Sequence, residues 1–186
     1  GVSKKVLKFS KKKIINFDYI IYTGSYKYLP NKKAVDYLVD VLMPKVIKKF
    51  PKLKLVLTGG GYEKEKNYIV NFGIVSKSKL LNLIYNSKLM VIPIDIGTGT
   101  RIKIIEAMLI GAKILTTKKG IEGISYKKNK FPIVLKKELF YKSIIKNVKN
   151  NIKNNKLDRF NKNYTMERIV KNFFRNKYVE NIFKTN

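Results

Sequence analysis

Apolar and polar residues change along the chain in blocks that predict strands and helices in turn. Short runs rich in β-branched and aromatic residues are typical of buried strands; they are residues 18–23, 53–58, 68–75, 89–94, 114–117 and 131–135. Other segments have apolar residues three or four positions apart, as in amphipathic helices; they are residues 32–50, the segment after Ser76, and residues 100–110, 137–151 and 166–183. This alternation predicts an α/β fold, a Rossmann-like, doubly wound parallel sheet with helices on both faces.

Single residues refine these elements. Asn31 and Ser76 are residue types that cap helix N-termini, so each is expected to begin a helix. Pro44 has no N–H to donate and is expected to kink or restart the helix over residues 32–50. Gly73 lies inside the predicted third strand, where glycine often marks a close approach of another backbone.

Glycine-bearing loops lie at or near the carboxyl ends of four of the predicted strands. They contain Gly24, residues 59–61, Gly73 and residues 97–99. Carboxyl ends of parallel strands meet at one edge of a sheet, where ligands bind near the topological switch point. The loops therefore predict one shared cleft, although residues 59–61 fit equally well as a flexible turn into a short helix over residues 62–66.

The predicted helix over residues 100–110 begins with two cationic residues. Arg101 and Lys103 lie in its first turn, where positive charge opposes the helix dipole, so an anion is expected beside them. A guanidinium suits a diphosphate, and the loop before it can present backbone N–H donors. The residues of that loop are Gly97, Thr98, Gly99 and Thr100.

Glu106 is the only acid of this predicted helix. A ribose needs a carboxylate that accepts from its hydroxyls, and Glu106 is the candidate. The alternative is a solvent-exposed i,i+3 ion pair between Lys103 and Glu106.

Charge and composition widen the choice of partners. The 186 residues include 41 Lys and Arg against 12 Asp and Glu, a net charge of +29. Such a charge suggests nucleic acid, an anionic membrane or a polyanionic substrate. Only four of these cations are Arg, and Asn, Ile, Tyr and Phe are also abundant, so A/T-rich codons explain much of the lysine content.

Absent residue types exclude several chemistries. Without Cys or His the sequence has no disulfide, thiolate metal site or Ser-His-Asp triad. It has no DxD pair, P-loop or GxGxxG fingerprint, so a leaving diphosphate would be stabilised by cations and helix dipoles rather than by Mg²⁺. No apolar run reaches 18 residues and no signal sequence is recognisable, so a cytoplasmic protein is expected.

Four motifs together resemble one family. They are YTGSYKYLPNKKAVDYL, P-x-L-x-L-x-L-T-G-G-G, F-G-x-V, and P-x-x-x-G-x-G-x-R-x-K-x-x-E-A-M-x-x-G-x-x-x-x-x-T-x-x-G-x-E-G. The sequence resembles the C-terminal, nucleotide-sugar-binding half of GT-B glycosyltransferases, specifically retaining family 4 (group 1). Its first residues, Gly1-Val2, resemble the end of an interdomain linker. The expected organisation is a lead-in over residues 1–17, a donor-binding domain over 18–164 and a packing helix over 165–186.

This resemblance implies roles for the site residues. Glu106 is expected to hold the ribose, and Arg101 and Lys103 to stabilise the leaving diphosphate as the catalytic cations. Thr98 replaces the first glutamate of the family's E-x7-E motif at the sugar end of the site. The expected base and cleft lining is Gly24, Ser25, Asn31, Gly59, Gly60, Gly73, Ile74 and Val75.

The implied function is transfer of a sugar, with retention and without a metal or cofactor, from a UDP-, GDP- or ADP-sugar to a glycan or lipid-linked acceptor. An N-terminal acceptor domain, in cis or trans, is the expected partner, and without it the chain is expected to be inactive. An anionic membrane surface is a further expected partner. Two alternatives remain: a non-catalytic donor-binding subunit that needs a partner chain, and a basic nucleic-acid-binding protein.

Overall fold

The computed structural model describes residues 6, 9–99, 101–124 and 132–150. Six strands form one sheet in the order β3-β2-β1-β4-β5-β6, and every neighbouring pair is parallel. The strands are β1 (Tyr19–Thr23), β2 (Lys54–Thr58), β3 (Ile69–Asn71), β4 (Leu89–Ile92), β5 (Ile114–Thr116) and β6 (Ile133–Val134). The predicted Rossmann-like parallel sheet is therefore confirmed.

Helices connect and cover the strands. They are α1 (Leu29–Asp36), a π-helical segment (Tyr37–Leu42), α2 (Met43–Lys49), α3 (Lys77–Asn86), α4 (Ile102–Leu109), a 3-10 turn (Lys137–Leu139) and α5 (Phe140–Lys149). Helix α2 packs against α5, and α3 packs against α4. None of these helices is long and apolar enough to cross a membrane. The helix predicted over residues 166–183 lies outside the described residues.

The core lies where the predicted strands place it. Side chains of β1, β2, β4 and β5 are buried almost without exception, as expected of parallel strands that are covered on both faces. Tyr19 and Tyr22 of β1 are also fully buried, so each phenol needs an internal partner. Tyr19 donates to the carbonyl of Leu83, 2.7 Å away.

The helical connection from β1 to β2 is continuous, but it changes from π-helical to α-helical geometry at Met43, one residue before Pro44, where a kink or restart was predicted. Met43 N–H bonds to the carbonyl of Leu38, five residues back, at the end of the π-helical segment. Pro44 then occupies the first turn of α2, where its missing N–H leaves no hydrogen bond unmade.

Three local predictions were wrong. Asn31 does not cap α1; Tyr28 is the N-cap, because Pro30 is favourable in a first turn and lets the helix begin earlier. Strand β3 ends at Asn71, so Gly73 follows the strand instead of lying inside it. Asn71 Oδ1 accepts from the N–H of Gly73, which starts a turn there. Residues 62–66 form no helix.

Ser76 caps α3 as predicted, since its Oγ accepts from the N–H of Lys79 at 3.3 Å. The lead-in over residues 9–17 has no helix or strand, and it packs along the same helix. Lys12 N–H donates to Asn82 Oδ1 at 2.7 Å, and Asn86 Nδ2 donates to the carbonyl of Lys12 at 2.8 Å.

Candidate functional site

The topological switch point lies between β1 and β4. The chain leaves β1 for β2 on one side, and after β3 it returns to place β4 on the other side. Loops that leave two adjacent strands in opposite directions open a crevice at their carboxyl ends, and α/β proteins bind ligands in such crevices. The loops after Thr23 and Ile92 flank this crevice.

Lys103, in the first turn of α4, reaches across the switch point to β1. Its Nζ donates to the carbonyl of Thr23 at 2.6 Å, to Asn31 Oδ1 at 3.1 Å and to Tyr22 Oη at 3.2 Å. It also lies 4.4 Å from the centroid of the Tyr22 ring. All three acceptors are uncharged, so the described residues solvate the positive charge but do not neutralise it.

Burial changes the ionisation of this lysine. Desolvation, with a smaller contribution from the nearby charge of Arg101, lowers the pKa of Lys103 from 10.5 to about 7. Desolvation also raises the pKa of the Tyr22 phenol, so that group stays neutral beside the lysine. When an anion binds beside a lysine whose pKa is lowered in this way, the protonated fraction of the lysine rises, because an opposite charge favours ionisation.

Arg101 lies against its own loop. Its Nη1 donates to the carbonyls of Thr98, at 2.7 Å, and Gly99, and its Nη2 donates to the carbonyl of Ile96 at 3.4 Å. The side chain is buried, and its Nε has no hydrogen-bond partner among the described residues. The structure thus places this predicted diphosphate cation within the glycine loop. Thr100 of the predicted phosphate loop lies outside the described residues.

Glu106 lies on another side of α4 and pairs with the neighbouring helix. Lys77 Nζ, at the start of α3, is 2.5 Å from Glu106 Oε2. The Glu106 side chain is 7% exposed and that of Lys77 is 25% exposed. The alternative of an exposed Lys103–Glu106 pair is therefore wrong, since each residue has found other partners.

The glycine loops do lie together at one edge of the sheet. Gly24 N–H donates to the carbonyl of Thr58 at 2.9 Å, and Gly59 N–H donates to that of Gly73 at 2.7 Å. Gly59 has a φ of +111°, and a Cβ there would lie 2.4 Å from the carbonyl oxygen of Gly24. Only glycine fits at such an approach, so these two loops are locked against each other.

The loop after β1, residues 24–28, is here called the first loop, and it forms two further hydrogen bonds with neighbouring segments. Asn31 Nδ2 donates to the carbonyl of Ser25 at 2.9 Å, and Tyr26 N–H donates to that of Gly60 at 2.9 Å. The first turn of α1 meets the loop after β4, because a Cβ on Gly97 would lie 2.8 Å from Pro30 Cγ. Gly24, Ser25, Asn31 and Gly97 thus lie close together beside the switch point, and their role as cleft lining remains a prediction.

The loop after β3 presents an exposed apolar side chain. Ile74 is 87% exposed, and Val75 beside it is half-buried. A Cβ on Gly60 would lie 3.6 Å from Ile74 Cδ1, so the loops after β2 and β3 are in contact here. The assignment of Gly60, Gly73, Ile74 and Val75 to the base remains a prediction.

Sequence reasoning missed Tyr22 and Lys77. Tyr22 sits in a short, fully buried run of aromatic and β-branched residues and resembled a core residue, and its phenol signalled only that a partner was needed. Lys77 is one of many lysines, but a cation in the first turn of α3 opposes the helix dipole and could have suggested an acidic neighbour. Across the described residues, no group of three or more Asp and Glu side chains could hold a metal ion.

Comparison with known families matches most of the chain. The family model described as "Glycosyl transferases group 1" matches residues 18–150. No curated protein matches the sequence.

Solved structures share the fold at low sequence identity. HepE from Anabaena in complex with UDP-glucose is 13% identical, with a TM-score of 0.53 over 73% of this chain and 40% of that chain. The C-terminal domain of the group 1 glycosyltransferase LpcC from Francisella tularensis is 14% identical, with a TM-score of 0.51 over 78% of this chain and 80% of that one. A trehalose-6-phosphate synthase is 9% identical, with a TM-score of 0.52 over 93% of this chain and 45% of that one. The chain thus spans about 40% of the length of HepE.

Proposed function

This chain belongs to the glycosyl transferases group 1 family, and we propose that it is the donor-binding half of a retaining, metal-independent family 4 enzyme. The observation that carries the proposal is the placement of Lys103 and Glu106 on α4 at the switch point. One helix there presents a cation toward the end of β1 and a buried carboxylate toward α3. A nucleoside diphosphate needs both, because it joins an anionic diphosphate to a ribose with hydroxyl donors.

The diphosphate is assigned to the start of α4. Lys103 supplies a charge that no carboxylate among the described residues neutralises, and the N-terminus of α4 supplies backbone N–H groups. Arg101 lies in the adjoining loop, where its guanidinium would exchange carbonyl partners for diphosphate oxygens. Bidentate charge-assisted bonds to a diphosphate are stronger than bonds to neutral carbonyls, which favours that exchange.

The ribose is assigned to Glu106. An ionised carboxylate has two oxygens with about four acceptor sites. Lys77 occupies Oε2, and a ribose hydroxyl can donate to Oε1 without separating the ion pair. Gly73, Ile74 and Val75, in the loop before α3, would then lie beside the base.

The chemistry asked of this half is leaving-group stabilisation. As the bond from the sugar to the diphosphate breaks, negative charge grows on the departing phosphate oxygen, and fixed cations and helix dipoles lower the energy of that state. HepE binds UDP-glucose, and the trehalose-6-phosphate synthase was studied for glycosyl transfer with retention. We further propose that the acceptor is a glycan or lipid-linked sugar held by an N-terminal domain in cis or trans. The net charge of +29 favours a place at the cytoplasmic face of an anionic membrane.

Calorimetric titration with UDP, GDP and ADP tests the donor site. We expect one of them to bind the chain, and Glu106→Ala and Arg101→Ala each to weaken that binding by roughly 10- to 100-fold through loss of charge-assisted hydrogen bonds. The exposed Lys45 provides the control, and Lys45→Ala should bind like wild type.

Two outcomes would contradict the proposal. One is the absence of binding to all three nucleotides. The other is oligonucleotide binding that falls steeply with salt and is unaffected by Glu106→Ala, which would favour the nucleic-acid alternative.

A further inference from the structure

Three segments of the chain meet at the ammonium of Lys103. Tyr22 and Thr23 come from the end of β1, Asn31 from the first turn of α1, and Lys103 from the first turn of α4. β1 and α1 are consecutive along the chain, whereas Lys103 lies 80 residues after Thr23, so the ammonium ties α4 to the end of β1 and the start of α1 at the switch point.

Tyr22 and Asn31 also bond to each other and to the first loop. Tyr22 Oη donates to Asn31 Oδ1 at 2.7 Å, and Asn31 Nδ2 donates to the carbonyl of Ser25 at 2.9 Å. Tyr22 has no exposed surface, and Asn31 is 9% exposed. The two side chains therefore use their hydrogen-bonding groups to fix Lys103 on one side and the loop on the other.

We propose that Tyr22 and Asn31 are positioning residues that hold the Lys103 ammonium, by uncharged acceptors alone, where it meets the diphosphate of the donor. The inference rests on the proposed function, since it concerns the same site. Uncharged acceptors orient the ammonium without cancelling its charge, whereas a carboxylate in their place would compete with the ligand.

The groups that face Lys103 support this assignment. Thr23 and Asn31 are neutral, and burial raises the pKa of the Tyr22 phenol so that it stays neutral. Arg101 is the nearby charge and is itself positive, which helps to lower the pKa of Lys103 to about 7. The buried carboxylate on the same helix, Glu106, is held by Lys77.

A pH dependence of ligand binding follows. Binding of a diphosphate favours protonated Lys103, and in the free protein the protonated fraction falls as pH rises above about 7. The terminal phosphate of the ligand, with a pKa near 6, is fully ionised above about pH 7.5 and contributes no slope there. Between about pH 7.5 and 9.5, affinity should fall by up to about tenfold per pH unit in wild type.

Asn31→Asp is the decisive variant. It keeps the shape and the acceptor toward Lys103 but adds a negative charge, which raises the pKa of Lys103 and offsets its attraction for the diphosphate. It also removes the amide donor to the carbonyl of Ser25, a loss that by itself would not flatten the pH dependence. We expect binding at about pH 7.5 to weaken by roughly tenfold or more, and the pH dependence up to about pH 9.5 to flatten. Asn67→Asp makes the same change at an exposed residue before β3, at the opposite edge of the sheet, and should keep the wild-type profile.

Tyr22→Phe provides a second, milder variant. It removes one acceptor from Lys103 and one donor from Asn31 while it keeps the ring, so affinity should fall roughly three- to tenfold. Tyr19→Phe is the control. Tyr19 is a buried tyrosine on the same strand, but its phenol donates to the carbonyl of Leu83 and not to the site. The Tyr19→Phe variant should therefore bind the nucleotide like wild type.

The titrations use whichever of UDP, GDP and ADP binds wild type. The positioning role would be supported by two results together: a flattened pH profile of nucleotide binding in Asn31→Asp, and a lower nucleotide affinity in Tyr22→Phe than in Tyr19→Phe. Wild-type binding with an unchanged profile in Asn31→Asp would overturn it and leave the proposed function standing. Wild type that binds none of the three nucleotides would overturn both.

Discussion

Two charged residues of α4, three positions apart, have opposite surroundings. Lys103 is surrounded by uncharged acceptors at the end of β1, while Glu106 is buried against the ammonium of Lys77. Within the part of the chain that the structure describes, the carboxylate is thus paired with an opposite charge, and the ammonium is not. The difference indicates that the lysine side has charge to offer a ligand, whereas the glutamate side can offer acceptor sites but little net charge.

The same difference separates stability from binding. Removing one partner of a buried ion pair leaves an uncompensated charge, which is strongly destabilising. Removing Lys103 instead relieves a desolvated charge and costs hydrogen bonds to neutral groups. Stability should therefore depend more on Lys77, and ligand binding more on Lys103.

At about pH 8, the largest expected effect is that of Lys77→Met on folding. It leaves the Glu106 carboxylate, 7% exposed, without its counter-ion. We expect the free energy of unfolding at about pH 8 to fall by roughly 2–3 kcal/mol, less than for a fully buried pair because Lys77 is partly solvated. Urea denaturation followed by circular dichroism measures it.

Lys45→Met, at an exposed lysine of α2, is the matched control and should change stability by less than about 0.5 kcal/mol. Equal midpoints for the two variants would mean that the ion pair contributes nothing in solution.

The effect of Lys103→Met on the free energy of unfolding should depend on pH. Folding lowers the pKa of Lys103 from 10.5 to about 7, so between these values the unfolded chain binds more protons and wild-type stability rises with pH. The variant lacks this contribution, so the difference between wild type and variant should grow in favour of wild type by up to roughly 1.4 kcal/mol per pH unit.

The measurement is urea denaturation of both proteins at several pH values between about 7 and 9.5. Lys113, whose pKa burial also lowers, is present in both and cancels in the difference. A difference that stays constant with pH would show that Lys103 keeps an ordinary pKa.

The fold could be predicted because the sequence pattern that indicates each strand and helix lies within that element. Each buried strand is a short apolar run, and each amphipathic helix shows its period directly, so the alternation of elements predicted the parallel sheet. The limits of β3 were not predicted, because the side chain of Asn71 ends the strand by bonding to Gly73, and that bond competes with the apolar pattern.

The site was predictable only in part. Glycines, Arg101, Lys103 and Glu106 stand close together in one motif, so their proximity could be read from the sequence. Partners from distant segments could not: Tyr22 lies 81 residues from Lys103, and Lys77 lies 29 residues from Glu106. Hydrophobic pattern does not say which of many lysines meets a given carboxylate.

The smallest expected effect is that of salt, and it tests the same contrast. Raising NaCl from about 0.1 M to 1 M shortens the screening length from about 10 Å to 3 Å. Nucleotide binding through the uncompensated charge of Lys103 should weaken roughly fivefold in wild type, and less in Lys103→Met. The stability difference between wild type and Lys77→Met should stay nearly constant, because a buried pair is screened little. Calorimetry and urea denaturation at the two salt concentrations measure the two effects. If salt changed the stability difference but left nucleotide binding unchanged, the roles assigned to the two sides of α4 would be reversed.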